Sequence, residues 1–237
     1  MRSRNRKIFI GVIVIGIIII IGVFYYLRTT SSKSTEIKLN NEKKIGIDRN
    51  GKAVFKFTPE KDGYYNFDLI EYGVAEEESG DLYIYENMKN EIELGKDVYY
   101  FKKDNDYYFI DDMHHCLDYG YDCDVSLKLK GYANGTITED EPLIINEDTV
   151  LKYKSLSSGK KTMTVYDNKN ISVNLQYENI PENTLISYQR DHDKYYFVAG
   201  NNETILVVCN NVNKGTKLVI NTTPDIKLWN EESDEND

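Results

Sequence analysis

Residues Ala53 to Leu69 read AVFKFTPEKDGYYNFDL, and the rest of the chain is best read outward from them. Successive side chains on a strand point to opposite faces, so Phe55 shares a face with Phe57, and Tyr65 with Phe67. Pro59 cannot donate to a ladder and ends the first run, while Gly63 permits the turn that opens the second. The expected unit is a hairpin of adjacent antiparallel strands. It turns four rings toward one core, with Phe57 and Phe67 facing inward from the two strands.

The same period-two pattern recurs along the chain. Leu82 and Ile84, then Val125, Leu127 and Leu129, then Ile171, Val173 and Leu175 alternate with polar or aromatic neighbours, and Gly, Asn or Asp bounds each run. Twenty tyrosines against one tryptophan and four prolines suit strands and turns, and no window beyond residue 34 shows apolar recurrence at helical spacing. The chain also repeats itself. Val54-Phe55-Lys56-Phe57 and Gly63 return as Val150-Leu151-Lys152-Tyr153 and Gly159; Tyr85-Glu86-Asn87 returns as Tyr177-Glu178-Asn179; Tyr107-Tyr108-Phe109 returns as Tyr195-Tyr196-Phe197. Each copy closes on an alternating strand, Val125 to Lys130 and Thr216 to Asn221. The expected fold class is mainly β, with two tandem antiparallel, jelly-roll-like β-sandwiches over residues 36–132 and 138–222, each with its own core.

The first copy resembles bacterial pre-peptidase C-terminal domains. Their pattern is an aromatic strand ending in a proline corner, then Gly-x-Tyr-x-Phe on the returning strand; here Phe55, Phe57 and Pro59 precede Gly63, Tyr65 and Phe67. Leu94-Gly95-Lys96-Asp97-Val98-Tyr99-Tyr100 is similar to that family's aGktYY segment. The resemblance covers Ile37 to Gly131 and, faintly, Pro142 to Thr222, where Lys160, Lys161 and Met163 stand in place of the aromatics. It implies an accessory module of secreted and surface proteins, one associated with matrix or polysaccharide contact.

The N-terminus decides location. Ile8 to Leu27, IFIGVIVIGIIIIIGVFYYL, is free of charge and long enough for a hydrocarbon core of roughly 30 Å at about 1.5 Å per residue. Arg2, Arg4, Arg6 and Lys7 precede it, Tyr25 and Tyr26 sit at its outer end, and no small-residue cleavage site follows. The expectation is a cytoplasmic stub (1–7), an uncleaved membrane-spanning signal anchor (8–27), a linker (28–35) and an extracellular body at the cell membrane. The acidic stretch 223–237 is expected to be a disordered tail. Six of the 29 basic residues and no acidic one lie in residues 1–33, which leaves 23 basic against 39 acidic residues, a net −16, on the rest. Such a body repels phosphate backbones, so nucleic acid is not an expected partner.

Candidate chemistry is sparse. Cys116 and Cys123 could close a loop disulfide outside the cell, remain free thiols, or join His114 and His115 around zinc. Adjacent histidines on a strand would point to opposite faces, which disfavours zinc. Asp104, Asp106, Asp111 and Asp112, with Asp118, Asp122 and Asp124, make an acid-rich segment. It reads as a solvated loop, with calcium through Asp104, Asp106, Asp111 and Asp112 as the weaker reading, because the D-x-D-x-D-G spacing is absent. No resident cofactor is expected. The chain lacks a G-x-S-x-G elbow, a phosphate-cradling glycine loop and an H-E-x-x-H helix, so no catalytic residue is assigned and no enzyme is expected, a hydrolase being the weakest reading. The expected function is a non-catalytic, membrane-anchored surface protein that binds or adheres to a glycan or protein. The alternative is an envelope scaffold or accessory subunit of a membrane complex.

Overall fold

A computed structural model describes residues 33–74, 79–166, 171–178 and 186–222. The segments expected to be the stub (1–7), the anchor (8–27), most of the linker and the tail (223–237) lie outside these residues. Among the described residues, no helix is long and apolar enough to cross a membrane.

The chain is mainly β. The first half carries β1 (Thr35–Glu36), β2 (Glu42–Gly46), β3 (Lys52–Phe57), β4 (Gly63–Tyr72), β5 (Asp81–Glu86), β6 (Asn90–Ile92), β7 (Tyr99–Phe101), β8 (Tyr107–Asp112), a short helix α1 (His114–Tyr119) and β9 (Asp124–Gly131). The second half carries β10 (Ala133–Ile137), β11 (Leu143–Ile145), β12 (Thr149–Lys154), β13 (Gly159–Tyr166), β14 (Ser172–Tyr177), β15 (Gln189–Asp191), β16 (Lys194–Ala199), β17 (Thr204–Asn210) and β18 (Thr216–Thr222). They form four sheets: the first in the order β1-β3-β8-β5-β6, the second β2-β9-β4-β7, the third β10-β12-β17-β14 and the fourth β11-β18-β13-β16-β15.

The first and second sheets close on one apolar cluster, which includes Phe55, Phe57, Tyr65, Ile84, Phe101, Phe109, Leu127 and Leu129. The third and fourth close on another, which includes Leu151, Tyr153, Met163, Leu175, Phe197, Val207 and Ile220. Each half is thus a β-sandwich. Strand order is shared between the halves: β3, β8 and β5 occupy the places of β12, β17 and β14, and β9, β4 and β7 those of β18, β13 and β16.

Several pairings differ from the sequence reading. The strands of AVFKFTPEKDGYYNFDL are not a hairpin. β3 bonds to β1 and β8 in the first sheet, whereas β4 bonds to β9 and β7 in the second. The turn at Pro59 to Gly63 is an arch between sheets, and its rings meet across the sandwich, Phe57 edge-on to Tyr65 at 5.3 Å. Phe67 is only half-buried at the margin of that core. Tyr195-Tyr196-Phe197 belongs to β16, the counterpart of β7 and not of β8, and ladder register places Phe197 where Tyr99 stands and Ala199 where Phe101 stands. Ladder register also shifts Tyr85 by one: Ile84 faces Phe109 as Leu175 faces Val207, which makes Gln176, not Tyr177, the partner position of Tyr85. A slip of one residue exchanges the two faces of a strand, so the difference matters. Finally, residues 133–137, between the two expected sandwiches, are β10, which runs parallel to β12 at the edge of the third sheet.

The disulfide joins Cys116 to Cys123, with Cα atoms 6.3 Å apart. His114 and His115 lie on α1 rather than on a strand, and Gly120 ends this helix in the left-handed conformation (φ 69°). Cys209 is a buried thiol on β17.

Candidate functional site

The described acidic residues do not form the calcium set read from the sequence. Asp104 is exposed in a left-handed turn, and Asp106 pairs with Lys56 at 2.9 Å. Asp111 and Asp112 stand at the opposite end of β8, five residues on, or about 17 Å at roughly 3.4 Å per residue. The four carboxylates therefore cannot meet at one ion. Asp112 pairs with Lys52 at 2.9 Å, and Asp111 is fully buried. Among the described residues, no group of three or more His, Cys, Asp or Glu side chains is placed to hold a metal ion. His192 and Asp191 touch at 2.6 Å, but both are largely exposed in the β15–β16 turn, where nothing excludes water.

The feature that the sequence reading missed lies where the two sandwiches meet. The outer face of the second sheet packs on the outer face of the third through Tyr64, Val98, Tyr132, Val150, Leu206 and Val208, all buried. The alternation of a strand explains the source of these groups. Tyr65 points into the sandwich and Tyr64 points out of it; Leu151 and Val207 point inward, Val150 and Leu206 outward.

Polar groups fix the register of this junction. Gln176, buried on β14, accepts hydrogen bonds from the main-chain N–H groups of Asp97 (3.0 Å) and Val98 (3.3 Å). Its amide donates to the carbonyl of Val98 (3.1 Å). One side chain thus gives the segment before β7 what a neighbouring strand would have given it, which satisfies main-chain groups that burial would otherwise leave unpaired. At one margin the Tyr64 hydroxyl donates to Glu178 (3.1 Å), which also pairs with Lys152. Burial pushes the Tyr64 hydroxyl up to about 12, against the opposing hydrogen bond with Lys152 and with a lesser push from the Glu178 carboxylate. At the other margin the Tyr132 hydroxyl and the Lys130 ammonium both donate to Asn210 (2.8 Å each).

Beside the Tyr64–Glu178–Lys152 set opens a cleft of ≈ 580 Å³, shared by the two halves. Its walls include Tyr99, Tyr100, Lys96, Lys102, Glu86 and Glu178. Tyr100 is 49% exposed and stands edge-on to Tyr64 at 5.2 Å, so its outer surface is free over the cleft. The Asn105 amide and the Tyr107 hydroxyl donate to Glu86, and the Asn105 bond is the main cause of its lowered carboxyl pKa. A wider groove, ≈ 750 Å³, runs beside β1, but its rings, Phe57 and Tyr65, are buried in the core and offer no free face. The sequence carried one sign of the cleft: the doublets Tyr64-Tyr65 and Tyr99-Tyr100, in which strand alternation sends one ring inward and its neighbour out.

No protein-family model matches the sequence, and no curated protein matches it. Among solved structures, the chain is similar to the CUB1-EGF-CUB2 domain of human MASP-1/3 at 7% identity and a TM-score of 0.22, over 77% of this chain and 99% of that one. It is similar to the CUB1-EGF-CUB2 domains of rat MASP-1 at 6% identity and a TM-score of 0.22, over 80% of this chain and 100% of that one. At these TM-scores neither likeness carries an argument about arrangement or function.

Proposed function

We propose that this protein is a non-catalytic binding module of a bacterial cell surface that takes a glycan in the cleft between its halves. The observation that carries this reading is Tyr100, a ring half-free over a cleft lined with lysines and carboxylates. A tyrosine face offers apolar area to the C–H surface of a sugar, and the ionised carboxylates and ammonium groups around it match sugar hydroxyls. Glycan-array screening followed by calorimetry with the full chain tests it. Tyr100→Ala is expected to weaken the captured glycan by about tenfold, or ~1.4 kcal/mol, and to leave the melting temperature unchanged. A wild-type protein that captures no glycan, or a Tyr100→Ala protein that binds as well as wild type, would refute the reading.

The finer architecture belongs to the same proposal. Each half is one jelly-roll-like module; the β2-β9-β4-β7 sheet facing β3-β8-β5-β6 supports this in the first half. The pre-peptidase C-terminal-like reading of 37–131 is supported by Phe55, Phe57 and Tyr65 sharing one core. Residues 8–27 hold the body outside the membrane as an uncleaved anchor. Protease added outside intact cells is then expected to digest the body, and the mature protein is expected to retain Met1 to Leu27; a mature N-terminus between Tyr26 and Ser34 would overturn the anchor. A second reading, an accessory subunit holding a protein partner, is favoured by the exposed Leu117, Tyr119 and Tyr121 of the disulfide loop, the two rings stacked at 5.7 Å.

A further inference from the structure

Asp111 is the most demanding polar group in the first sandwich. It lies on β8 between Ala53 and Leu82 of the neighbouring strands, is 0% exposed, and neither carboxyl oxygen has a hydrogen-bond partner. A carboxylate taken out of water without a partner is among the costliest burials a protein can make. Protonation does not resolve it, because the acid's O–H would still need an acceptor and neither oxygen has a partner within reach.

Beside the apolar Ala53, Leu82 and Met113, the polar neighbours of Asp111 at Gly80 are oxygens. The Gly80 N–H donates to both carboxyl oxygens of Glu71 at 3.0 and 3.1 Å, which holds this second carboxylate against the same glycine. A side chain at position 80 would place its Cβ 2.6 Å from Asp111 Oδ1, 2.9 Å from Met113 Cγ and 3.0 Å from the main-chain carbonyl of Asp112. Glycine there therefore lets the Asp111 carboxylate and a main-chain carbonyl close on one point beside Glu71. Burial, then the charges of Glu71, Asp112 and Asp81, push the Asp111 carboxyl up to about 7, the response of a cluster that lacks a positive charge. The nearby lysine does not supply it: Lys52 is engaged with Asp112 on the opposite face of the sheet.

We propose that Asp111 and Glu71 are ligands of a calcium-class divalent cation at the β4–β5 end of the first sandwich. Hard cations of this class take carboxylate, main-chain carbonyl and water oxygens together, so two carboxylates and the Asp112 carbonyl form a site that water completes. The site is independent of the cleft and of the glycan reading. It differs from the sequence-stretch candidates in keeping Asp111, adding Glu71 from another strand, and leaving Asp104 and Asp106 aside.

The test is a thermal melt of the full chain in detergent, in EGTA and then in roughly millimolar calcium, the range of extracellular modules. Tyrosine-sensitised terbium luminescence serves as a direct binding readout. Wild type is expected to melt higher in calcium and to bind terbium. Asp111→Asn and Glu71→Gln are expected to lose both responses. In EGTA, Asp111→Asn should melt at or above wild type, because a neutral amide relieves the repulsion with Glu71 and shows that the fold survives. Asp106→Asn, at the far end of β8, keeps both responses. Identical wild-type melts in EGTA and calcium, or a full calcium response in Asp111→Asn, would overturn the site.

Discussion

Replacing Phe101 by alanine is expected to cost the first sandwich about 3–5 kcal/mol, enough to unfold a domain whose total stability is roughly 5–15 kcal/mol. Phe101 is fully buried on β7, stacked on Tyr107 at 4.0 Å and on Tyr65 at 5.6 Å, with Phe109 edge-on at 6.1 Å. Its removal opens a cavity between two sheets whose rings have little room to collapse into it. Phe67→Ala should cost clearly less, because Phe67 is half-exposed and leans on Tyr99 (5.4 Å) and Phe109 (5.3 Å) only at the core's margin. Urea melts of the two variants decide the order; equal losses would contradict the packing. Separate cores alone would confine the effect of Met163→Ala to the second sandwich. The buried junction of Tyr64, Val98, Tyr132, Val150, Leu206 and Val208 joins the two: unfolding either half strips apolar cover from the other, so both halves should lose stability together.

The second large effect is expected at Glu139. Lys161 is fully buried on β13, and its ammonium donates to three oxygens: Glu139 (2.8 Å), Ser157 Oγ (3.1 Å) and Thr222 Oγ1 (3.0 Å). Glu139 in turn accepts from the hydroxyls of Tyr153 and Thr222. Glu139→Ala leaves a buried cation without its counter-charge, and breaking such a pair typically costs about 3–5 kcal/mol. The pair also fixes the response to acid. Burial raises the Glu139 carboxyl, but the Lys161, Tyr153 and Thr222 donors outweigh it and bring the group down from 4.5 to about 2. A carboxyl depressed on folding contributes stability above its unfolded pKa, and this is lost as pH falls through the folded one. Wild-type urea midpoints are therefore expected to fall as pH drops from about 4.5 toward 2, with a shallower slope in Glu139→Gln. Equal slopes would show that the pair does not control the acid response.

Glu139 also shows what the sequence could and could not disclose. Strands were legible because alternation is local: Phe55 and Phe57, or Val173 and Leu175, declare a buried face without reference to anything distant. Partnership between strands is not local. The same rings of β3 and β4 fit a hairpin or an arch between sheets, and only the bonds of β3 to β8 and of β4 to β9 decide between them. Lys161 looked like a break in an aromatic pattern, yet it occupies the place of Tyr65. The Tyr65 hydroxyl donates to the carbonyl of Lys61 as the Lys161 ammonium donates to Ser157, the residue at the matching position. Gln176 was invisible for the opposite reason: a polar residue on the outer face of a strand usually meets water, and here it meets the main chain of the other sandwich. Asp111 was named from composition, but its neighbour Glu71 stands forty residues earlier, beyond the reach of any spacing rule.

The junction has a geometric consequence. It joins unlike surfaces, the second sheet of one copy to the first-type sheet of the next, so the four sheets stack head to tail rather than face to face. A contact of that polarity has no built-in end: repeated between molecules, it would grow a fibre. Here the two terminal faces are unlike the surfaces they would have to mimic. Lys160 stands on β13 where Tyr64 stands on β4, so the far face lacks the ring that starts the junction. On the near face, Lys52–Asp112 and Lys56–Asp106 ion pairs cover the strands that correspond to β12 and β17. The duplication therefore carries its own stop at each end, because neither outer face repeats the surface that the junction buries.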